Sequence, residues 1–504
     1  MGRRHKRKRR STEDAAKQGA ADEATTASTT GATADDVVEC FSWNPTVAQK
    51  DSDSCEHREN EIASASPSAP NVFTSPTMEK IWKALQSVGR LHIPVDRAPT
   101  PIQAYTWPKL LPSLFDSSSN AAETTRLVTQ SPTGSGKTLS YGLPLALQAL
   151  TQSQSSLVLA PTRELAIQIG KNLKAVVKAL RRIPEVAADT TRVNLATLYG
   201  GLDREKQAAE LSGFDQPGGI LVSTTGRLLD LIQSATEEDN EKNEACKQGT
   251  LIIEFLRSLA CWVVDEADRL ATHSDLSRQI DQILPYIPTK AGIVFASATW
   301  PNDTDKWKEW LWRSPSSADL EPCTVVRVNP NAIKSSVKTA KKPVTDASEN
   351  DKESNKKSSK DVVWSEIPSN ITQTLHVCAD HKKPRKLLTT LQKLKKEDAR
   401  QKPLCIVFFA TIKTLQYCTK LLSKEGISCL ELHSHMPQHS RERNIQTFSS
   451  GKATLLLATD ICARGVHVNH VRVVIQYDFP GNMEQYIHRC GVSSGVEPWR
   501  RFVK

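Results

Sequence analysis

"SPTGSGKT", residues 131–138, decides the fold of this chain because it stands between a strand-like run and a helix-like run. It follows the apolar "RLVTQ" of residues 126–130 and precedes "LSYGLPLALQAL" of residues 139–150. A glycine-rich loop in this setting turns its backbone N–H groups, and the positive end of the helix, toward an anion. The order strand, loop, helix therefore predicts a phosphate-binding loop in an α/β sheet.

The residues of this loop have distinct predicted roles. We expect Lys137 to reach the terminal phosphates of a nucleoside triphosphate and Thr138 to offer its hydroxyl to Mg²⁺. The phosphate oxygens are expected to contact the preceding residues, which are Thr133, Gly134, Ser135 and Gly136. Ser131 stands where the usual spacing has glycine, and a turn of purely structural use is the alternative interpretation.

Two adjacent carboxylates in "VVDEADRL", residues 263–270, form the second part of the predicted site. Asp265 and Glu266 follow an apolar strand, and the carboxyl ends of strands are where α/β sheets place their sites. We expect Asp265 to hold Mg²⁺ opposite Thr138, and Glu266 to polarise the water that attacks the terminal phosphate. An acidic helix N-terminus is the alternative.

Apolar runs alternate with helical patterns in two parts of the chain, which predicts two α/β units with parallel sheets. The first unit, residues 76–330, contains "RLVTQ", "SSLVLA", "GILVST", "CWVVDEAD" and "GIVFASAT". The second unit, residues 366–504, contains "PLCIVFF", "CLELHS", "ATLLLATD" and "VRVVIQYD". Residues 1–75 and 331–365 are poor in large apolar side chains, so we expect a disordered tail and a flexible linker or insertion.

Composition limits the classes of partner. The 504 residues carry 66 lysines and arginines against 56 acidic residues, a net charge of +10 that favours a polyanionic partner. No apolar run of about 18 residues occurs, so we expect no membrane partner. The 11 cysteines include no Cys-x-x-Cys pair, which indicates reduced thiols. The basic run Arg3 to Arg10 predicts a nuclear address, with nonspecific phosphate contact, a solvated tail and a cytoplasmic location as alternatives.

The sequence "DEAD" at residues 265–268, together with "SPTGSGKT" and "SAT" at residues 297–299, resembles the DEAD-box family of ATP-dependent RNA helicases. The resemblance covers about Thr100 to Gly491. It implies two RecA-like domains in tandem that bind ATP, Mg²⁺ and RNA, with RNA-stimulated ATP hydrolysis driving local duplex separation or ribonucleoprotein remodelling. It adds Ser297 and Thr299 to the catalytic residues. We expect a monomer in the nucleus or nucleolus, with preribosomal particles as possible partners.

The resemblance assigns further residues in the first domain. Gln103 of "PTPIQ" would read the adenine edge of ATP, and Trp82 is a candidate for the aromatic residue that accompanies it. Largely sequence-independent contacts to the RNA backbone are implied for Pro161, Thr162, Arg163, Gly200, Gly201, Thr224, Gly226 and Arg227. Thr225 stands where the family usually has proline, which predicts a less rigid loop.

In the second domain the resemblance implies RNA contacts by Arg441, Thr459 and Asp460, and nucleotide contacts by Gly465 and Arg489. His467 replaces an aspartate that the family uses to couple the nucleotide to the domain interface. Histidine can donate or accept a hydrogen bond and can carry charge near neutral pH. The coupling of the nucleotide to the domain interface is therefore expected to be weakened, to use different contacts, or to be unaffected by the substitution.

"YIHRCG", residues 486–491, resembles the start of the last family motif, but the two arginines that should follow fall on Val492 and Gly495. Loss of an arginine finger removes several powers of ten in rate. Two explanations compete, a catalytically impaired RNA clamp and an incomplete gene reading. We favour the second because Val492-Ser493 can be encoded by GTGAGT, a common intron start. The residues after Gly491 predict no clear helix or strand, so the second domain is expected to be incomplete.

Overall fold

The computed structural model describes most of the two predicted domains. The described residues are 37–43, 76–112, 125–186, 193–201, 204–216, 218–236, 244–300, 305–313, 323–329, 371–397, 403–460, 471–491 and 501–503. The basic run of residues 3–10 and the predicted linker of residues 331–365 lie outside them.

The first domain is built on an eight-stranded sheet. Its strands are β1 Val37–Trp43, β2 Arg126–Gln130, β3 Ser155–Ala160, β4 Asn194–Leu198, β5 Gly219–Thr224, β6 Leu259–Asp265, β7 Gly292–Ser297 and β8 Cys323–Asn329. Their order across the sheet is β1-β8-β2-β7-β6-β3-β5-β4. All pairs are parallel except β1 with β8. The carboxyl ends of the parallel strands therefore meet at one edge.

Helices cover both faces of this sheet. They are α1 Pro76–Gln86, α2 Pro101–Leu110, α3 Lys137–Gln152, α4 Arg163–Leu180, α5 Arg204–Leu211, α6 Thr225–Thr236, α7 Glu244–Arg257, α8 Ala267–Thr272, α9 Ser274–Ile283 and α10 Asp305–Leu311. Thr100 caps α2 in a capping box with Gln103, and the Thr162 side chain caps α4 by accepting from the Leu165 N–H.

Neighbouring residues of one strand enter different cores, as the two-residue period of a strand requires. Leu127 lies with Trp107 and Leu173 in the core under one face, whereas Val128 lies with Phe295 in the core under the other. A sheet buried on both faces explains why these strands read as continuous apolar runs.

The second domain has a six-stranded parallel sheet. Its strands are β9 Thr372–Thr374, β10 Leu404–Phe409, β11 Leu430–Leu432, β12 Leu455–Thr459, β13 Val471–Gln476 and β14 Arg501–Val503, in the order β11-β12-β10-β13-β14-β9. Its helices are α11 Lys383–Glu397, α12 Ile412–Lys424, α13 Gln438–Ser449 and α14 Met483–Gly491. Leu391 and Leu415 pack on one face of the sheet, and Phe448 and Tyr486 pack on the other.

The predicted fold class, two parallel-sheet α/β domains, is confirmed, but two segments differ from the prediction. Val37–Trp43 lies within the predicted disordered tail and forms β1, because its apolar and β-branched residues favour a strand and its backbone pairs antiparallel with β8 at the edge of the sheet. Arg501–Val503 lies in the tail that predicts no strand, yet it pairs with Val473–Ile475 and Thr372–Thr374. Sheet pairing over three residues leaves too short a pattern to recognise in sequence.

The structure also bears on two predictions, the reduced thiols and the absence of a membrane partner. The described cysteines are all free, and Cys261, Cys405 and Cys490 are buried. Burial raises the pKa of the Cys261 thiol to about 12. Among the described residues, no helix combines the length and apolar character needed to cross a membrane.

Candidate nucleotide and RNA site

The predicted phosphate loop joins β2 to α3. Gly134 and Gly136 have φ angles of 77° and 94°, in the left-handed region that glycine adopts without strain. Lys137 is the first residue of α3, and its Nζ donates to the carbonyl oxygens of Ser131 and Pro132. The hydroxyls of Ser131 and Ser135 lie 2.6 Å apart. Ser131, which stands where the usual spacing has glycine, therefore forms a hydrogen bond within the loop.

Gln103 lies against this loop. Its Oε1 accepts from the Thr100 N–H at 3.0 Å, and its Nε2 donates to the Gly136 carbonyl at 3.2 Å. A Cβ at Gly136 would lie 2.3 Å from the Gln103 Nε2, so glycine is required there for contact as well as for backbone angle. The structure thus connects α2 directly to the phosphate loop, and reading of adenine by Gln103 stays a prediction.

Asp265 ends β6 next to the loop, and its Oδ2 accepts from the Tyr141 hydroxyl at 2.7 Å. Tyr141 is fully buried one helical turn after Thr138, the other predicted metal ligand. Burial raises the pKa of Asp265 to about 6 and lowers the pKa of Lys137 to about 8. The prediction missed Tyr141, whose only sequence signal is a hydroxyl one turn after Thr138 in an apolar helix.

Glu266 has φ 48° and ψ 51°, a left-handed conformation that costs a non-glycine residue about 1 kcal/mol. Its Oε2 is buried and has no hydrogen-bond partner among the described residues, and the Arg269 guanidinium is 3.9 Å away. The strained backbone thus holds a carboxylate oxygen beside Lys137 and Asp265 with its bonding capacity unused. This is the geometry expected of a group that orients a water.

These residues fit Mg²⁺ and a nucleotide phosphate. Mg²⁺ prefers hard oxygen donors, which the Thr138 hydroxyl and the Asp265 carboxylate supply. The Lys137 ammonium is close enough to Asp265, Glu266 and Asp268 for each to raise its pKa against the effect of burial.

Asp268 is the point where the second domain meets this site. Its Oδ2 accepts from the Thr299 hydroxyl and lies 3.3 Å from the Nε2 of His488 on α14. Burial raises the pKa of Asp268, but hydrogen bonds from His488 and Thr299 outweigh burial and hold the pKa well below its usual range. The Ser297 hydroxyl donates to the Thr299 carbonyl at 2.6 Å and shapes the turn that presents Thr299.

The second domain also approaches the first domain closely at the phosphate loop. Gly491 ends α14 and packs on Thr133, and a Cβ at Gly491 would lie 1.6 Å from the Thr133 Oγ1. The predicted phosphate-binding Thr133 thus contacts the second domain through a position where any side chain collides.

The predicted RNA contacts of the first domain gather at the carboxyl ends of β3, β4 and β5. They are Pro161, Thr162, Arg163, Gly200, Gly201, Thr224, Gly226 and Arg227. The Arg163 guanidinium covers both glycines, since a Cβ at Gly200 would lie 2.8 Å from it. The Arg227 Nε donates to the Gln207 Oε1 at 2.7 Å.

Two departures from the family pattern are resolved in the first domain. Thr225 starts α6, and its hydroxyl donates to the Gln279 Oε1 at 2.5 Å, so a side-chain bond holds this loop where the family has proline. Trp82 is buried edge-to-face against Trp107, and its Nε1 donates to the Arg97 carbonyl at 2.9 Å. The amphipathic helix α1 turns this ring into the core, and the match of Trp82 to the family's aromatic position stays a prediction.

Arg441, predicted to bind RNA, donates to the Glu164 Oε1 of the first domain at 2.5 Å. Both side chains are buried, and burial raises the pKa of Glu164 while Arg441 lowers it. On the same helix, Glu442 lies near Tyr199, and burial together with this carboxylate raises the pKa of Tyr199 to about 12. The structure therefore places Arg441 in a contact between the domains.

Arg489 and Asp460, predicted in different roles, form one pair within the second domain. The Arg489 Nε and Nη2 donate to the two Asp460 oxygens at 2.6 and 2.8 Å, and its Nη1 donates to the Asp478 carbonyl at 2.8 Å. Thr459 ends β12 beside them. Gly465, His467, Val492 and Gly495 lie outside the described residues.

Models of two protein families match the parts of the chain that form these sites. Residues 100–307 match the DEAD/DEAH box helicase family, and residues 383–491 match the helicase conserved C-terminal domain. The chain is 28% identical over 406 residues to DEAD-box ATP-dependent RNA helicase 20 of Arabidopsis thaliana, covering 78% of this chain and 62% of that protein. It is 30% identical over 402 residues to DEAD-box ATP-dependent RNA helicase 40 of Oryza sativa subsp. japonica, covering 78% and 39%. The chain thus spans less than two thirds of these relatives.

Solved structures share the tandem RecA-like fold. S. cerevisiae Dbp5 bound to RNA and ADP BeF3 superposes with a TM-score of 0.59 at 18% identity, covering 86% of this chain and 89% of that chain. The DEAD-box helicase Mss116 bound to ssRNA and UDP-BeF gives a TM-score of 0.61 at 19% identity, covering 84% and 72%.

Proposed function

The chain belongs to the DEAD-box helicase family, and we propose that it hydrolyses ATP when it binds RNA, using the cycle to separate short RNA duplexes or remodel ribonucleoprotein. The observation that carries the proposal is the position of Asp268. This residue connects Thr299 of the first domain and His488 of the second, three residues from Asp265.

The residues of the site divide the work of ATP hydrolysis. Lys137 would neutralise the terminal phosphates, and Glu266 would orient the attacking water through its unused Oε2. Thr138 and Asp265 would hold Mg²⁺, which supplies charge neutralisation to the phosphates when bound. Tyr141 would keep the Asp265 carboxylate in one orientation.

RNA would lie along the carboxyl ends of β3, β4 and β5. Backbone N–H groups at the start of α4 and α6, together with Arg163, suit phosphate oxygens and carry no base preference. The pairs Arg441 with Glu164 and His488 with Asp268 connect the RNA side and the nucleotide side across the same domain interface. Binding on one side therefore favours closure on the other.

The test is ATP turnover with and without RNA in Lys137→Ala and Glu266→Gln variants. We expect both to lose about 100-fold or more in turnover. Only Lys137→Ala should also weaken binding of a fluorescent ATP analogue. Lys178→Ala, which removes an exposed lysine on α4, is the control. Undiminished hydrolysis in both site variants would overturn the assignment.

A clamp that binds RNA and ATP with impaired hydrolysis is the second candidate. Val492 and Gly495 stand where the family motif has arginines, which favours this candidate. If the wild-type protein binds RNA and ATP but RNA does not stimulate its ATP turnover, the result would support this second candidate.

We also propose that the protein acts in the nucleus, with preribosomal particles among its partners. The support is the nearly uninterrupted basic run Arg3 to Arg10. Deleting the first ten residues should move the protein to the cytoplasm and leave RNA-stimulated ATP turnover intact. Unchanged nuclear localisation would contradict the proposal.

A further inference from the structure

The outer face of α12 carries a line of cations interrupted by one exposed aromatic ring. Lys413, Tyr417, Lys420 and Lys424 stand at i, i+4, i+7 and i+11, so they share one side of the helix. All four are exposed, and the Tyr417 residue retains 58% of its accessible surface. Leu415 and Leu422 occupy the opposite side in the core. We call these four residues the α12 stripe.

The neighbouring helix extends the positive surface. α11 covers the same face of the sheet as α12 and buries Leu387 and Leu391 there. Its outer side exposes Arg385, Lys386, Lys393 and Lys396. Among the described residues, the carboxylates of Asp380 and Asp478 both pair with Lys383, and Glu425 lies beyond the end of α12. Within the described residues, no carboxylate forms an ion pair with Lys413, Lys420 or Lys424.

The stripe starts at the functional edge of the domain. α12 follows β10 after two residues, so Lys413 lies near the carboxyl end of that strand. β12, which ends at Thr459, is the neighbour of β10 in the sheet. From Lys413 to Lys424 the stripe runs about 17 Å away from this edge.

We propose that the α12 stripe is a binding site for single-stranded RNA that extends beyond the two-domain cleft, with phosphates on the three lysines and a base stacked on Tyr417. The proposal rests on the proposed RNA-dependent function. A line of cations follows a phosphate backbone, and an exposed aromatic ring accepts a base of any sequence. Tyr417 favours RNA over an acidic peptide, since a carboxylate partner gains nothing from the ring face.

The first experiment compares two RNA lengths in the full chain. Binding is measured from low to high salt with RNAs of about 8 and about 30 nucleotides, lengths that stay within the cleft or reach beyond it. Substituting Lys413, Lys420 and Lys424 together with alanine should reduce the salt slope for the long RNA by about 2, because each single-strand phosphate contact contributes about 0.7. The slope for the short RNA should stay the same.

The matched control removes three exposed cations from the first domain, at Lys171, Lys178 and Arg182. It changes the net charge equally and should leave the length dependence of RNA binding as in the wild type. If both triple variants lose the same slope, the effect is one of overall charge and the proposed site is wrong.

Tyr417 separates stacking from charge. Tyr417→Ala should weaken binding of the long RNA by about fivefold or more, whereas Tyr417→Phe should retain it, because stacking needs the ring and not the hydroxyl. Equal loss in both variants, loss for both RNA lengths, or displacement of long RNA by polyglutamate in preference to unlabelled RNA would overturn the proposal.

The experiment also separates this inference from the proposed function. RNA-stimulated ATP turnover with the short RNA tests the cleft alone and should be equal in the wild type and the α12 stripe variants. If the wild type shows no such turnover but the stripe variants still lose long-RNA binding, the proposed helicase activity fails and the RNA site stands.

Discussion

Arg441 of the second domain donates to Glu164 of the first at 2.5 Å, and both side chains are buried. Glu164 follows directly after the predicted RNA-binding residues Pro161 to Arg163, so the contact lies on the RNA side of the interface. Burial of a paired charge means that removing one partner leaves the other uncompensated. The pair therefore connects the domain interface to the predicted RNA-binding loop.

Arg441→Ala should reduce RNA-stimulated ATP turnover by about tenfold or more and weaken domain closure, because it leaves Glu164 buried without its cation. Closure is measured by energy transfer between fluorophores on the two domains. Arg443→Ala, which changes an exposed arginine on the same helix, is the control. Equal turnover and equal closure in the two variants would contradict this role.

Asp268→Asn should destabilise the protein by about 3 kcal/mol at neutral pH, because Asn is uncharged and has one acceptor oxygen, so it cannot accept from the Arg269 N–H as well as from Thr299 and His488. The pKa of Asp268 is lowered in the folded state, so its contribution is present above the unfolded value of about 4 and is lost as the pH falls through the lower folded value.

The stability difference between wild type and Asp268→Asn should accordingly shrink as the pH falls below about 4. Urea unfolding at each pH measures it. A difference that stays the same in acid would show that the charge on Asp268 contributes nothing.

Gly491→Ala should block closure on the nucleotide side, since the new methyl group would lie 1.6 Å from the Thr133 Oγ1. We expect turnover to fall by at least about tenfold while each domain keeps its unfolding midpoint, because the collision exists only between domains. Gly89→Ala, where nothing lies within 4 Å of the new Cβ, should behave as wild type. Normal closure of Gly491→Ala by energy transfer would be the contrary result.

Tyr141→Phe should raise the Mg²⁺ concentration needed for binding of a fluorescent ATP analogue severalfold. The hydroxyl that fixes the Asp265 Oδ2 is lost, while the packing of the ring is kept. Tyr286→Phe removes a hydroxyl far along the chain and serves as the comparison. If both variants need the same Mg²⁺ concentration to bind the ATP analogue, the Tyr141 hydroxyl does not contribute to the predicted metal binding by Asp265.

Sequence patterns predicted what depends on near neighbours along the chain. The phosphate loop and the pair Asp265 and Glu266 are local arrangements of strand, loop and helix, and the structure brings them together as predicted. Tyr141 was missed because its partner Asp265 lies on strand β6, 124 residues further along the chain, and its own helix reads as apolar. The partner of Arg441 was missed for a related reason, since no spacing within one domain specifies which group of the other domain faces it.

Short and edge elements also escaped prediction. β14 has three residues, too few to show a period, and its place is set by the strands on either side. The position of the Trp82 ring could not be predicted, because an aromatic residue near a motif reads alike whether its ring faces a ligand or the core. The helical period of α1, with Met78, Ile81, Trp82 and Leu85 buried, indicates the core once the helix bounds are known.

The order of strands in the two sheets has a consequence for biosynthesis. β2, which carries the phosphate loop, borders β8 in the first sheet. In the second sheet, β14 is the strand that β9 pairs with among the described strands. Roughly 200 residues separate β2 from β8, so at ordinary ribosomal speeds β2 waits on the order of 10–40 s for one neighbour. During that interval the unpaired backbone N–H and C=O groups along one edge of β2 are exposed to other chains. Newly made protein should therefore depend on chaperones until residues 323–329 have left the ribosome.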